Sequence, residues 1–276
     1  MMETFLLTVN RIFDLIFFMG GYEGRYAAIV FIGAVSALVF LIIFKITSNQ
    51  EGIRREKNRI IGNLFQIRLY KDDLLLILSS IFQIFTHNLS YLRYMLAPLL
   101  FTIIPLVIFT VEVNQRCGYQ PLRAGSEFII SADLSGKHLL DTIKCETSSG
   151  IALLTPVMRV YDQAKAFWRA KIIRQAGTQE TVALYINGRE AAAKTVVMDT
   201  PARRFIPEKI KADSLNAILY HAEGFLPVDS PVERLTVAYP RASYNFLGIG
   251  MDAVVLYFIF TLLFALAVKP LFRVTI

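Results

Sequence analysis

HNLSYLRYMLAPLLFTIIPLVIFTV, residues 87–111, opens polar and ends apolar. From Tyr94 to Val111 it carries no charge, and a helix of that length rises about 27 Å, close to the ~30 Å of a bilayer's hydrocarbon. His87, Asn88, Ser90 and Arg93 gather where the apolar run begins, and Pro98 and Pro105 lie inside it. Polar groups beside such a run need water, headgroups or a protein interior. Two readings of this collar stand. In one, Asn88 caps a helix, Arg93 reaches to headgroups, and Tyr91 and Tyr94 anchor the interface. In the other, the same groups rim a water-accessible groove. Pro98 and Pro105 then bend the helix and free backbone carbonyls along a wet wall that includes Thr102.

Composition places the chain in a membrane. Of 276 residues, 55% are hydrophobic and 18% charged, below the roughly 25% charge of average soluble domains. Mean hydropathy is +0.49, as expected of a chain that is part membrane protein and part soluble domain. Two further runs match the first: Ala27–Phe44, followed by Lys45, and Ala253–Val268, followed by Lys269. The last is short, and Leu247–Met251 can lengthen it toward Phe246. Three spans are therefore expected. The net charge of +7 is not gathered in one patch, so no nucleic-acid footprint is read. Three scattered histidines and two cysteines outside CxxC spacing offer no metal site.

Orientation follows from the basic residues. Lys45, Arg54, Arg55, Lys57, Arg59, Arg68 and Lys71 lie between the first two runs, which predicts a cytoplasmic connection. Lys269 and Arg273 put the C-terminal tail on the same side. Three spans then leave the N terminus and residues 112–246 outside, as in a multi-pass protein of a bacterial-type inner membrane. Residues 1–24 read as an amphipathic helix, with Phe5, Val9, Ile12 and Ile16 on one face and Asn10 and Asp14 on the other. It either lies in the outer interface or packs on the bundle.

The connection, 47–72, spaces Ile53, Ile60, Ile61, Leu64 and Ile67 helically among its basic residues. Gly62-Asn63 would permit a break, so one helix or two both fit. LLLILSSIFQIF, residues 74–85, is too short to span and reads as an interfacial or re-entrant helix.

This order of elements resembles the core of the YidC–Oxa–Alb insertase superfamily, above all its small three-span members. In those, a cytoplasmic and often basic helical hairpin joins the first two core spans, and a partly polar stretch leads into the second. Asn88, Ser90, Tyr91, Arg93 and Met95, followed by Pro98 and Pro105, carry the resemblance. It covers residues 25–112 and 247–276. Two features depart from it: no arginine lies inside a span, and residues 112–246 stand where the family has a short hairpin. The resemblance implies an integral insertase or biogenesis factor that offers client segments a hydrophilic groove. A scaffold subunit, displaying an outer interaction domain in an envelope complex, is the alternative.

That outer domain, 115–246, reads as an all-β sandwich of roughly seven strands, set between a membrane core at 25–114 and the third span with its tail at 247–276. EFIISADL, IALLTPVMRVY, FWRAKIIRQ, TVALYI, KTVVM, LNAILYHA and ERLTVAYP are its β-rich runs. Asn187-Gly188 signals a type I′ hairpin. Trp168 reads as packing rather than a ligand platform. Cys117 and Cys145 either pair as a disulfide, which an oxidising compartment permits, or remain two thiols with one buried. No GxSxG, HExxH or paired-carboxylate pattern and no Gly-rich phosphate loop appears, so neither catalysis nor a cofactor is expected. The expected partners are the bilayer, membrane-protein clients or partner subunits, and a periplasmic protein on 115–246.

Overall fold

The computed structural model describes residues 11, 13, 14, 25–173, 179–198, 206–211 and 224–272. The helix expected at 1–24 therefore lies outside the described residues except at Arg11, Phe13 and Asp14, which are helical. The run at 215–222 and Arg273 also lie outside them. The chain divides into two compact units, Met1–Ile29 with Val111–Leu256, and Val30–Thr110 with Tyr257–Ile276.

Four long helices are described: α1 (Arg25–Thr47), α2 (Gln50–Leu69), α3 (Leu74–Cys117) and α4 (Ala253–Phe272). Three of them, α1, α3 and α4, are long and apolar enough to cross a membrane. Gly62-Asn63 does not interrupt α2. At 44 residues, α3 absorbs both the run at 74–85 and the expected second span into one helix, about 66 Å long. This corrects the separate re-entrant helix. Asp73 starts α3, its Oδ1 accepting from the Leu76 amide at 3.0 Å, and no glycine or proline follows before Pro98. Pro98 and Pro105 remove the amides that would reach the Tyr94 and Phe101 carbonyls, yet the helix continues through both.

The start of α4 also differs from expectation. Residues 247–251 do not extend it, because β10 (Tyr244–Phe246) and β11 (Ile249–Met251) form a hairpin. Its turn needs positive φ at Leu247 and Gly248, 52° and 85°, and the Gly248 amide donates to Asn245 Oδ1. Asp252 then caps α4 through the Val254 amide at 2.8 Å.

Within the second unit, α1 and α4 meet through small groups. A Cβ on Gly33 would lie 3.0 Å from Phe260 Cβ. One turn on, Ser36 and Thr261 share a 3.1 Å hydrogen bond, and the Tyr257 hydroxyl lies beside them. Phe40 meets Phe109 of α3 edge to face, centroids 5.8 Å apart. Small residues let backbones approach where lipid gives helices no hydrophobic reason to associate.

The first unit holds a β domain. A six-stranded sheet contains β3 (Ile151–Leu153), β5 (Lys165–Ile172), β1 (Glu127–Leu134), β9 (Val232–Val237) and β8 (Glu208–Ile210) in that order, with β4 (Met158–Val160) also on β5. A three-stranded sheet runs β2 (Ile143–Thr147), β6 (Gln179–Ile186), β7 (Arg189–Val197). Every described neighbour pairing in both sheets is antiparallel. Alternation sends Phe128, Ile130, Ala132 and Leu134 inward from β1, opposite Ala166, Trp168, Ala170 and Ile172 of β5. Val182, Leu184 and Ile186 of β6 join the same core, so one hydrophobic cluster serves both sheets. Trp168 is core. Asn187 and Gly188, φ 53° and 76°, make the tight turn between β6 and β7. The two sheets hold nine described strands: the expected run at 151–161 is two strands, β3 and β4, and the polar β2 and the three-residue β8 fall in none of the expected runs.

Gly33→Leu should lower the thermal midpoint of the protein in detergent well below that of Ser36→Ala, which loses one interhelical bond of about 0.6 kcal/mol. Equal midpoints for the two variants would contradict close packing at Gly33.

Candidate functional site

α2 and the N-terminal part of α3 form a helical hairpin. On α2, Gly52, Ile53, Glu56 and Asn63 are buried, with Ile60 and Ile67 half-buried between and beyond them. This is one face at three- and four-residue spacing. Asn49 caps the helix, its Oδ1 accepting from the Gly52 amide at 2.9 Å. A Cβ on Gly52 would come within 3.1 Å of the Tyr94 ring, so the missing side chain allows the close approach of α3. Glu56, only 4% exposed, is the polar centre of the interface. Its Oε2 lies 2.7 Å from His87 Nδ1, its Oε1 accepts from Arg59 Nη1 at 3.1 Å, and Arg55 Nε stands at 3.6 Å. Gly52 opposite Tyr94 and Glu56 opposite His87 make the helices antiparallel. The same register runs on to Asn63 and Ser80, both buried.

The collar residues divide by face. Ser80, Ile84, His87, Tyr91, Tyr94, Pro98, Thr102, Pro105 and Phe109 follow one another at spacings of three or four, and each is buried or half-buried. Asn88, Ser90 and Arg93 fall off this stripe and are exposed. The structure therefore brings His87, Pro98, Thr102 and Pro105 onto one packed face and leaves the other three outside it. Thr102 Oγ1 donates to the Pro98 carbonyl at 2.7 Å, one turn below a proline. Arg54, Arg55, Lys57, Arg59, Arg68 and Lys71 are all exposed. Toward the hairpin's tip the exposed side chains turn apolar: Phe65, Leu69, Leu74, Leu75 and Phe82.

In the other unit, Arg116 is buried near the end of α3 against Glu112, 2.8 Å from Asp14 Oδ1, with the Phe13 ring 5.9 Å away. Arg25 Nη1 donates to the Tyr119 carbonyl and the Tyr244 hydroxyl to that of Cys117, both at 2.8 Å. These bonds tie the start of α1 and the β10–β11 hairpin to the segment that leaves α3. Cys117 and Cys145 are free thiols in the structure. Burial, reinforced by the neighbouring Glu146 carboxylate, pushes the Cys145 thiol up to about 12.

Glu56, Ser80, Ser36 and Thr261 were not singled out from sequence. A signal existed for the first: Glu56 falls on the apolar stripe of an otherwise basic helix, where an unpaired carboxylate would be costly. Compared with known proteins, the chain matches no family model, no curated protein and no solved structure.

Glu56→Ala should destabilise the hairpin by about 1–3 kcal/mol, below the cost of breaking a fully buried pair, because Arg55 and Arg59 can turn to water. Glu56→Gln, which can still bond His87, should cost less. Hydrogen exchange of the α2 and α3 amides reads the difference, and unchanged protection in the alanine variant would contradict the pairing.

Cys145 should stay a thiol at pH 8 and react slowly with iodoacetamide. The raised thiol pKa favours the folded state below the unfolded value, near 8.5, and that contribution is lost as pH climbs toward 12. Labelling of native protein as fast as of unfolded chain at pH 8 would contradict its burial.

Proposed function

We propose that the chain is an insertase-like biogenesis factor of a bacterial-type inner membrane, its hairpin cytoplasmic and its β domain outside. One observation carries this reading: the stripe on α3 that runs from the hairpin to Phe109. Within the charge-free run from Tyr94 to Val111 that face holds Tyr94, Thr102 and both prolines, and His87 and Tyr91 lead into it. A charged group at the bilayer centre costs about 2.5–3.5 kcal/mol on insertion scales. A face offering hydrogen bonds, entered from a basic and polar rim at Asn88, Ser90 and Arg93, would lower that cost for a client's polar segment. No bond is made or broken. The client is partly solvated at membrane depth and then released into lipid.

The scaffold reading has its own support in the other unit. The β domain has a hydrophobic core of its own, as a displayed interaction domain requires.

Photocrosslinkers at Tyr91 and Thr102 should capture nascent membrane proteins, while those at Leu100 and Ile104, exposed on other faces, should capture lipid. Arg93→Leu should impair client insertion more than the protein's own folding, and Arg93→Lys should restore part of it, because charge matters there more than guanidinium geometry. Capture confined to the β domain, with insertion intact in the leucine variant, would decide for the scaffold.

A further inference from the structure

An open cavity of about 640 Å³ lies at the base of α2, lined by Asn49, Glu51, Arg54, Arg55, Asn58 and Arg59. We propose that it binds the phosphodiester headgroup of an anionic phospholipid. The inference rests on α1 spanning the membrane but not on any client being inserted. Ser48 and Asn49 alone separate α1 from α2, so a spanning α1 delivers this cavity to the headgroup layer. Three guanidinium groups face one carboxylate, and Asn58 adds an amide donor. Arg59 Nη1 bonds the buried Glu56 carboxylate at 3.1 Å and Arg55 Nε stands 3.6 Å from it, while both side chains stay largely exposed. Their remaining N–H groups are open to an anion, and guanidinium forks bind phosphate oxygens in pairs. Ile42 and Ile46, exposed on the last turns of α1, supply the neighbouring apolar surface that the acyl chains of a lipid require.

Glu51 sharpens the choice of ligand. It stands in the cavity against three arginines. A neutral choline lipid brings its own cation to those arginines and loses the advantage. Phosphatidylglycerol brings a net negative charge and no cation, so the arginines draw it while the Glu51 carboxylate opposes it only in part. A free phosphate ion shares the charge but has no chain to lie against Ile42 and Ile46.

The test is native mass spectrometry of the full-length protein released from mixed micelles of phosphatidylglycerol and phosphatidylcholine. Phosphatidylglycerol should be retained over phosphatidylcholine on the order of tenfold, since each basic side chain near an anionic surface is worth about fivefold. Arg54→Gln, at an exposed position outside the Glu56 pairing, should lower the preference about fivefold. Glu51→Gln should raise it, which makes a second variant with the opposite sign. Equal retention of the two lipids, or a preference unmoved by both variants, would overturn the proposal. So would full displacement of phosphatidylglycerol by millimolar inorganic phosphate, which would mark a free-anion site. Client crosslinking is indifferent to these outcomes, so the two readings fail separately.

Discussion

A carboxylate buried between two helices costs several kcal/mol unless it is paired, and Glu56 meets that condition in one arrangement of α2 on α3. His87 Nδ1 and Arg59 Nη1 reach it from different helices, at 2.7 and 3.1 Å. That fixes the rotation of both helices and their register at once. Gly52 comes under the Tyr94 ring, and Asn63 and Ser80 are buried further along. Because α3 continues without a break to Cys117, the face set at His87 is also the face that carries Pro98, Thr102 and Pro105. The contact of Glu56 with His87 thus determines which side of the membrane-length segment packs and which meets its surroundings.

Each unit holds its buried polar groups in its own way. Between α1 and α4, Ser36 and Thr261 satisfy each other's hydroxyls while Gly33 lets the backbones close. On α3, Thr102 donates back to the Pro98 carbonyl near the place where a proline has removed an amide. In the other unit, Arg116 is buried with carboxylates from two parts of the chain, and main-chain carbonyls at residues 117 and 119 accept from Tyr244 and Arg25. Polar groups on an apolar scaffold are expensive, and within the charge-free run of α3 Tyr94 and Thr102 share the face of Pro98 and Pro105.

Much of this was legible in the residues. Hydropathy located three membrane-length helices, alternation located β1, β5, β6, β7 and β9, and Asn187-Gly188 gave the β6–β7 turn. The misses have physical causes. Residues 74–85 read as a separate helix because hydropathy is high there, falls at Thr86–Ser90 and rises again. Hydropathy does not end a helix; glycine and proline do, neither lies between Asp73 and Ala97, and Asn88 stays inside the helix. The hairpin β10–β11 was taken for the start of α4 because Phe246–Met251 is apolar, although Asn245, Gly248 and Gly250 already spelled a turn. β2 buries little of its polar sequence, and β8 has only three residues to alternate. Of the collar, His87, Pro98, Thr102 and Pro105 share a helical face that a count by threes and fours along residues 80–109 recovers.

Everything proposed for α3 depends on its being one helix from hairpin to membrane segment. The direct measurement is a pulsed electron-paramagnetic-resonance distance between spin labels at Leu78 and Val107, both exposed, in the full-length protein in lipid nanodiscs. An unbroken helix predicts a single distribution near 43 Å, from 29 steps of 1.5 Å, shortened only slightly by a proline bend. A distribution centred below about 30 Å would mean that residues 74–93 fold back from the span, and the face set by Glu56 and His87 would then not be the face that carries Thr102.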